Sequence, residues 1–170
     1  MRGGDGRTSG GTLGPGFVAG LLGGVTMALW MVVSALAVEV APLGPLEALG
    51  DTFGGAEGRE RNAATFVLGI LMHLAFAGIL GVLFVSVLPR DFPGGMAAMM
   101  CMGFAFVVMG FMTSLVLPAV NPPLRAEMPM LGGSWVLAHA VFGITVGYAG
   151  QRLRQRGGAS AASRVPARAT

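Results

Sequence analysis

The sequence predicts an all-α membrane protein, a four-transmembrane-helix bundle built from two helical hairpins related as a parallel internal repeat. The first observation is the low proportion of charged residues: the chain of 170 residues is 54% hydrophobic and only 11% charged. A soluble domain carries about 25% charged residues, which cover its surface. The other two observations are four long apolar runs and a histidine motif that occurs once in each half of the chain.

Four apolar runs have the length that a transmembrane helix needs. A hydrocarbon core about 30 Å thick takes roughly 20 helical residues. The runs lie at 17–38, 63–88, 96–117 and 134–150. The first is longer than the apolar core of a signal peptide, about 7–15 residues, so we expect it to remain as a helix. Segments 1–16 and 151–170 are rich in small and polar residues, which predicts disordered tails.

The connections between the runs differ in character. Residues 39–62 hold five carboxylates among Pro and Gly, which predicts a solvated acidic loop with a short interfacial turn at 46–49. The brief turn at 90–95 makes its neighbouring helices antiparallel. Pro118 is expected to end the third helix, and an irregular loop is predicted from there to the fourth.

Basic residues are distributed unevenly, and all eleven are arginine. With four spans both termini lie on one side, which holds eight arginines against three on the other: Arg2, Arg7, Arg90, Arg152, Arg154, Arg156, Arg164 and Arg168 against Arg59, Arg61 and Arg125. Since cytoplasmic loops carry the excess of basic residues, both termini are predicted to be cytoplasmic. The tail arginines indicate contact with lipid headgroups rather than a nucleic-acid-binding face.

The only two histidines lie in two copies of one motif. Residues 71–81 and 137–147 share the pattern Leu-x-His-x-x-Phe-small-x-x-x-Gly, with His73 and His139 at its third position. Each copy falls in the second helix of a hairpin, and an even number of spans per half gives a parallel repeat. We expect the two imidazoles to lie at similar depth and to face a shared interior site, since a ring N–H that faces lipid is unsatisfied.

Small residues recur at helical spacing four and eight residues after each histidine, and also along the first helix. The predicted helix-packing residues are Gly20, Gly24, Ala77, Gly81, Gly143 and Gly147. Residues four apart on a helix are neighbours, so these stripes predict close approach of another backbone. Beside each histidine, the same stripe could instead leave room for a ligand. A dimer interface along the first helix is a further alternative.

The histidines admit several roles. A neutral imidazole that is hydrogen-bonded across helices is the simplest. Histidine is also a common axial ligand of haem, so His73 and His139 are candidate ligands of a single b-type haem. A transition-metal site or a proton relay is a third alternative. Two histidines are too few for a closed structural zinc site, which needs four ligands.

Methionines in the third helix raise a copper alternative, and the rest of the sequence argues against an enzyme. Met96 and Met100 lie one turn apart with Cys101 beside them, and thioethers and thiolates suit Cu(I). Methionine is equally a flexible apolar filler. No carboxylate lies within the spans to complete a catalytic triad, and no glycine-rich nucleotide-binding motif occurs.

These features together resemble a known family. The residues that carry the resemblance are the Gly-rich first helix, Leu49-Gly50, the two histidine motifs and Pro118. Over most of 15–150 the chain is similar to a bacterial family of small four-helix inner-membrane proteins, a domain of unknown function. The resemblance implies a multi-pass protein of the bacterial inner (plasma) membrane, and it implies no activity.

The sequence therefore predicts a structural or accessory component of the inner membrane, in contact with the lipid bilayer and without a nucleic-acid partner. A homo-oligomer or a larger membrane complex is compatible with this prediction. The alternative is an electron-transfer subunit that binds haem b through both histidines. Copper or small-solute transport is the third interpretation.

Overall fold

Five helices form the regular structure of the described part of the chain. The computed structural model describes residues 10–37, 39, 41, 43–54, 62–121 and 132–162. The helices are α1 (Gly10–Ala37), α2 (Gly44–Gly54), α3 (Ala63–Val87), α4 (Gly94–Val120) and α5 (Gly133–Ala162). Over these residues the protein is all-helical, as the composition predicts.

Local sequence signals set both ends of α3. The Asn62 side chain accepts hydrogen bonds from the backbone N–H groups of Ala64 (2.9 Å) and Thr65 (3.1 Å), and the Thr65 hydroxyl accepts one from Asn62 N–H (3.0 Å). This reciprocal arrangement satisfies N–H groups that have no partner within the helix. The helix ends at Val87 because Leu88 precedes Pro89 and takes an extended conformation, as the proline ring requires of the residue before it.

A proline widens α4 without ending it. Pro118 provides no N–H and crowds the carbonyl one turn earlier. The chain forms a π-helical turn at Met112–Val116 immediately before it, and the helix then continues through Leu117–Val120. The prediction that Pro118 ends this helix is therefore wrong, because the helix widens locally and continues past the proline. Such π-helical turns are frequent at functional sites.

Helix α1 lies at the centre of the fold. It packs against α3 on one side and α5 on the other, while α4 packs against α5 and α2 packs against α3. Helices α3 and α4 follow each other in the chain but contact each other at few places. The four long helices therefore leave a cleft between α3 and α4.

Three of the helices are long and apolar enough to cross a membrane: Gly11–Ala37, Ala63–Val87 and Gly94–Val120. Their outer faces present large apolar side chains that are more than half exposed, namely Leu29, Val33, Leu71, Ile79, Met99 and Val107. Soluble proteins rarely expose contiguous apolar surface on this scale. Helix α5 is not among the three, since Trp135, His139, Thr145, Tyr148 and several glycines lower its mean hydropathy.

Helix boundaries differ from the predicted ones where tertiary contacts extend a helix. Helix α1 begins at Gly10, inside the predicted tail, and Gly16 packs against the α3 backbone. Helix α5 runs to Ala162 through most of the predicted C-terminal tail, and the predicted turn at 46–49 is part of α2, which has 11 residues. The predictions for 1–9, 55–61, 122–131 and 163–170 lie outside the described residues.

Candidate functional site

An apolar cavity of about 290 Å³ occupies the cleft between α3 and α4. Helices α1 and α5 form its back wall. Its lining is hydrophobic except for two imidazoles and one indole, and includes Met27, Met31, His73, Phe76, Leu80, Ala105, Val108, Met112, Trp135, His139 and Phe142. Both histidines of the repeated motif therefore line one cavity. A binding pocket for a small molecule typically has a volume of about 300–1,000 Å³ and apolar walls with a few polar groups.

Phe84 and Phe142 line one end of the cavity, and Phe104 packs on Phe84. The Phe84 ring lies 5.6 Å from the Phe104 ring and 6.1 Å from the Phe142 ring, measured between centroids. The three side chains come from α3, α4 and α5, and Phe84 is almost fully buried. Aromatic contacts of this geometry add stability beyond the burial of their area. They join the helices at the end of the cavity where α3 turns into α4.

Helix α2 closes the opposite end and contributes Pro45, Leu46 and Leu49 to the lining. Close packing holds it on α3, because Gly50 lies against the Thr65 carbonyl and Gly69 lies against the Leu46 carbonyl. At the end of α4, the buried Asn121 amide donates to the Ala48 carbonyl (2.7 Å) and to the Thr52 hydroxyl. Helix α2 is thus attached to both walls of the cleft, as a roof over the cavity.

His73 is hydrogen-bonded to the neighbouring helix. Its Nε2–H donates to the Gly24 carbonyl of α1 at 2.9 Å. This bond fixes the neutral tautomer, with Nδ1 as the nitrogen that keeps a lone pair. A side chain at position 24 would not fit, since an added Cβ would lie 2.7 Å from the Ala77 Cβ.

His139 has the opposite tautomer. Its Nδ1–H donates to the Trp135 carbonyl, one turn earlier on α5, at 2.9 Å. Nε2 is therefore the nitrogen with the lone pair. The imidazole packs on the Trp135 indole with ring centroids 4.9 Å apart and planes inclined by 58°. The two histidines bond to backbone carbonyls, not to each other.

Trp135 is the polar group of the site that the sequence analysis did not identify. Its indole Nε1–H is buried and has no hydrogen-bond partner within the described structure. Such a group costs about 1–3 kcal/mol when it is left unsatisfied. The sequence feature that could have identified Trp135 is its position one helical turn before His139, within an apolar run.

The small residues near the histidines lie where two helices contact each other. They do not leave space for a ligand beside the imidazoles. Gly20 and Gly81 lie against each other where α1 crosses α3. In the second half, a Cβ at Gly143 would lie 2.5 Å from the Met102 Cα, and Gly147 lies against the Ala97 carbonyl. Ala77 is the exception, since it lines the cavity as well. These contacts bring the backbones of each helix pair close together.

The sulfur atoms that suggested copper do not gather at the cavity. Met96 and Met100 are exposed on the outside of α4, whereas Cys101 is fully buried. The methionines that do line the cavity are Met27 and Met31 of α1 and Met112 of α4. Sequence reasoning missed Met27 and Met31, because the density of methionine in α4 directed attention to that helix alone.

The fold and the site define a helical protein with three helices apolar enough to cross a membrane and an apolar cavity that contains two imidazoles. Residues 12–160 match the model of a family of unknown function, DUF6789. The chain belongs to this family, in agreement with the predicted membership of a family without assigned function. No curated protein and no solved structure matches the chain.

Proposed function

We propose that this protein is a non-enzymatic, multi-pass component of the bacterial inner membrane that binds an apolar molecule taken from the bilayer. The observation that carries the proposal is the apolar cavity between two helices whose outer faces are exposed apolar surface. A ligand can enter sideways from lipid, because α3 and α4 separate along the cleft. Binding without chemistry suits an accessory role, alone, as a homo-oligomer or in a larger membrane complex.

A fourth span completes the proposed topology. Helix α5 packs lengthwise along α1 and α4, with Gly23 against Val146 and Gly143 against Met102. A helix that packs along two membrane spans shares their depth, so we infer that α5 crosses the bilayer too. The chain then consists of two hairpins with one histidine motif each, which supports the parallel repeat. The excess of arginine on the side of the termini supports cytoplasmic ends.

The topology predicts the behaviour of reporter fusions. Alkaline phosphatase, which is active only outside the cytoplasm, is expected to be active when fused at Gly55 and inactive when fused at Thr170. A fluorescent protein that folds only in the cytoplasm should give the reverse pattern. Phosphatase activity at Thr170 would contradict the assignment of the termini.

Filling the cavity should abolish binding of an apolar probe. Val108 lines the cavity, whereas its neighbour Val107 is 71% exposed on the outer face of α4. We expect Val108→Trp to weaken saturable binding of naphthalene by at least about tenfold, because the indole occupies the space of the ligand. Val107→Trp is the matched control and should bind like the wild type, since its side chain points to lipid.

The measurement is an equilibrium titration of radiolabelled naphthalene into the protein in phosphatidylcholine nanodiscs, in which bound probe is counted directly and an added tryptophan does not affect the signal. Empty nanodiscs give the partition background that is subtracted. Equal binding by the two variants would show that the probe does not occupy the cleft. Binding that never saturates in the wild type would contradict the proposed function itself.

Haem binding is the alternative that one observation favours. His139 donates Nδ1–H to a carbonyl and keeps Nε2 available, which is the usual arrangement of a ligating histidine. His73 argues against a second axial bond, because its Nε2 is engaged by Gly24. The remaining Nδ1 is adjacent to the side-chain branch, where a flat macrocycle is crowded. We therefore expect no Soret band after expression with added haem, and a band that disappears in His73→Ala would contradict this expectation.

A further inference from the structure

We infer that the molecule bound in the cleft is neutral and carries a hydroxyl group, which donates to Nε2 of His139 and accepts from Nε1–H of Trp135. This inference rests on the proposed binding function and specifies the ligand of that site. It defines the class as an alcohol, phenol or quinol with an apolar ring or chain.

One hydrogen-bond donor and one acceptor of the site remain unused among the described residues. Trp135 presents a buried N–H without a partner, which needs an acceptor. His139 presents a ring nitrogen whose lone pair is free, because its only N–H is held by the Trp135 carbonyl. A hydroxyl both donates and accepts, so it satisfies both groups at once. A ketone would satisfy only the indole, and an amine would chiefly satisfy the imidazole.

The positions of the Trp135 and His139 rings also favour a single polar group on the ligand. The two rings lie one turn apart on α5, with centroids 4.9 Å apart, and both line the cavity. A single small polar group beside Trp135 and His139 is therefore near both rings. The rest of the ligand then contacts apolar side chains such as Val108 and Met112. This separation matches a molecule with one polar end and an apolar body.

The side chains that line the cavity also determine the charge of the ligand. Among the described residues that line the cavity, none is a carboxylate, an arginine or a lysine. A charged ligand would lose its hydration there without a counter-charge, which is strongly unfavourable in an apolar environment. The ligand is therefore neutral, and its polar group is one that forms hydrogen bonds without ionisation.

Three probes with one ring system separate these contributions. Naphthol donates and accepts, methoxynaphthalene only accepts, and naphthalene does neither. In the full-length protein in phosphatidylcholine nanodiscs, we expect naphthol to bind about tenfold more tightly than either of the others, the effect of satisfying a buried polar pair. In His139→Phe the preference for naphthol over methoxynaphthalene should disappear, while naphthalene binds as in the wild type and thereby shows that the cavity is intact.

A spectroscopic signal reports on Trp135 directly. Trp30 is the only other tryptophan, and its indole donates to the Ser134 hydroxyl of α5 at 3.1 Å, so Trp30→Phe leaves one indole N–H resonance in a labelled protein. Naphthol should move that resonance downfield, as a new hydrogen bond does, and naphthalene should not. Trp135→Phe in the otherwise native chain should reduce naphthol binding toward that of naphthalene.

The outcomes separate the inference from the function on which it rests. Equal affinities of the three probes in the wild type would overturn the hydroxyl inference and leave an apolar binding site. A naphthol preference that persists in both His139→Phe and Trp135→Phe would also overturn it. Failure of all three probes to bind saturably would contradict the proposed function instead.

Discussion

Replacing Gly81 by leucine is expected to lower the free energy of unfolding by at least about 3 kcal/mol. A Cβ at this position would lie only 2.4 Å from both the Gly16 carbonyl oxygen and the Gly20 Cα of α1. Backbone atoms cannot rotate away as a side chain can, so the two helices must separate. Because α1 also packs against α5, the separation would disturb the centre of the fold.

The same substitution at Gly103 is the control. This glycine of α4 is exposed, and nothing lies within 4 Å of a Cβ added there. Gly103→Leu should leave stability unchanged or raise it slightly, since glycine is a poor helix former. The measurement is an unfolding titration with sodium dodecyl sulfate in mixed micelles. Equal stability of the two variants would show that α1 and α3 do not meet at Gly81.

Replacing Gln151 by leucine should cost about 2 kcal/mol. Gln151 is 0% exposed, and its Nε2 donates to the carbonyls of Arg90 and Phe92, each at 2.7 Å. Leucine has a similar size but cannot donate, so both carbonyls of the α3–α4 turn would lose this partner. The change would loosen the end of the bundle opposite the α2 roof.

Arg154 supports the same turn, which makes the two residues a coupled pair. Its guanidinium donates to the Val85 carbonyl at 2.6 Å and to the Gln151 side-chain oxygen at 3.0 Å. Burial lowers the pKa of Arg154 and the nearby charge of Arg90 lowers it further, yet a guanidinium stays cationic. The control is Gln155→Leu, one turn further along α5 and exposed. If Gln155→Leu proves as destabilising as Gln151→Leu, the hydrogen bonds to the turn do not account for the loss.

The long helices follow from the sequence because hydrophobic run length is a local property. All four predicted apolar runs lie within α1, α3, α4 and α5, apart from a residue or so at their ends. Their ends were less predictable, since they depend on partners distant in the chain. Helix α5 continues past Gly150 because Gln151 and Arg154 bond to the turn at 88–92. Composition alone indicated a tail there.

Sequence reasoning singled out two residues of the candidate site, but neither its other polar group, Trp135, nor its chemistry. The repeated motif singled out His73 and His139, and both line the same cavity. The motif predicts equivalent environments, yet the two rings have opposite tautomers, because the nearest carbonyl belongs to Gly24 of α1 in one case and to Trp135 of the same helix in the other. Which carbonyl lies closest depends on how the helices cross, and no local pattern encodes that crossing.

The cleft itself also escaped prediction. Two related hairpins suggest four equivalent helix contacts, but α1 packs closely on α5 whereas α3 and α4 scarcely touch. The difference lies in side-chain size at the contacts. Gly23 lets α5 approach α1, while Phe84 and Phe104 hold α3 and α4 apart at 5.6 Å between rings. The four-span bundle and its internal repeat stay predictions.

A crystal structure of the protein with bromonaphthalene decides whether the cleft between α3 and α4 binds an apolar ligand. Bromine scatters anomalously, so its position is visible independently of the protein atoms. We expect one strong anomalous peak beside Val108 and Met112, between the aromatic end of the cavity and the α2 roof. Anomalous peaks found only on the lipid-facing surfaces, for example near Val107, would contradict binding in the cleft.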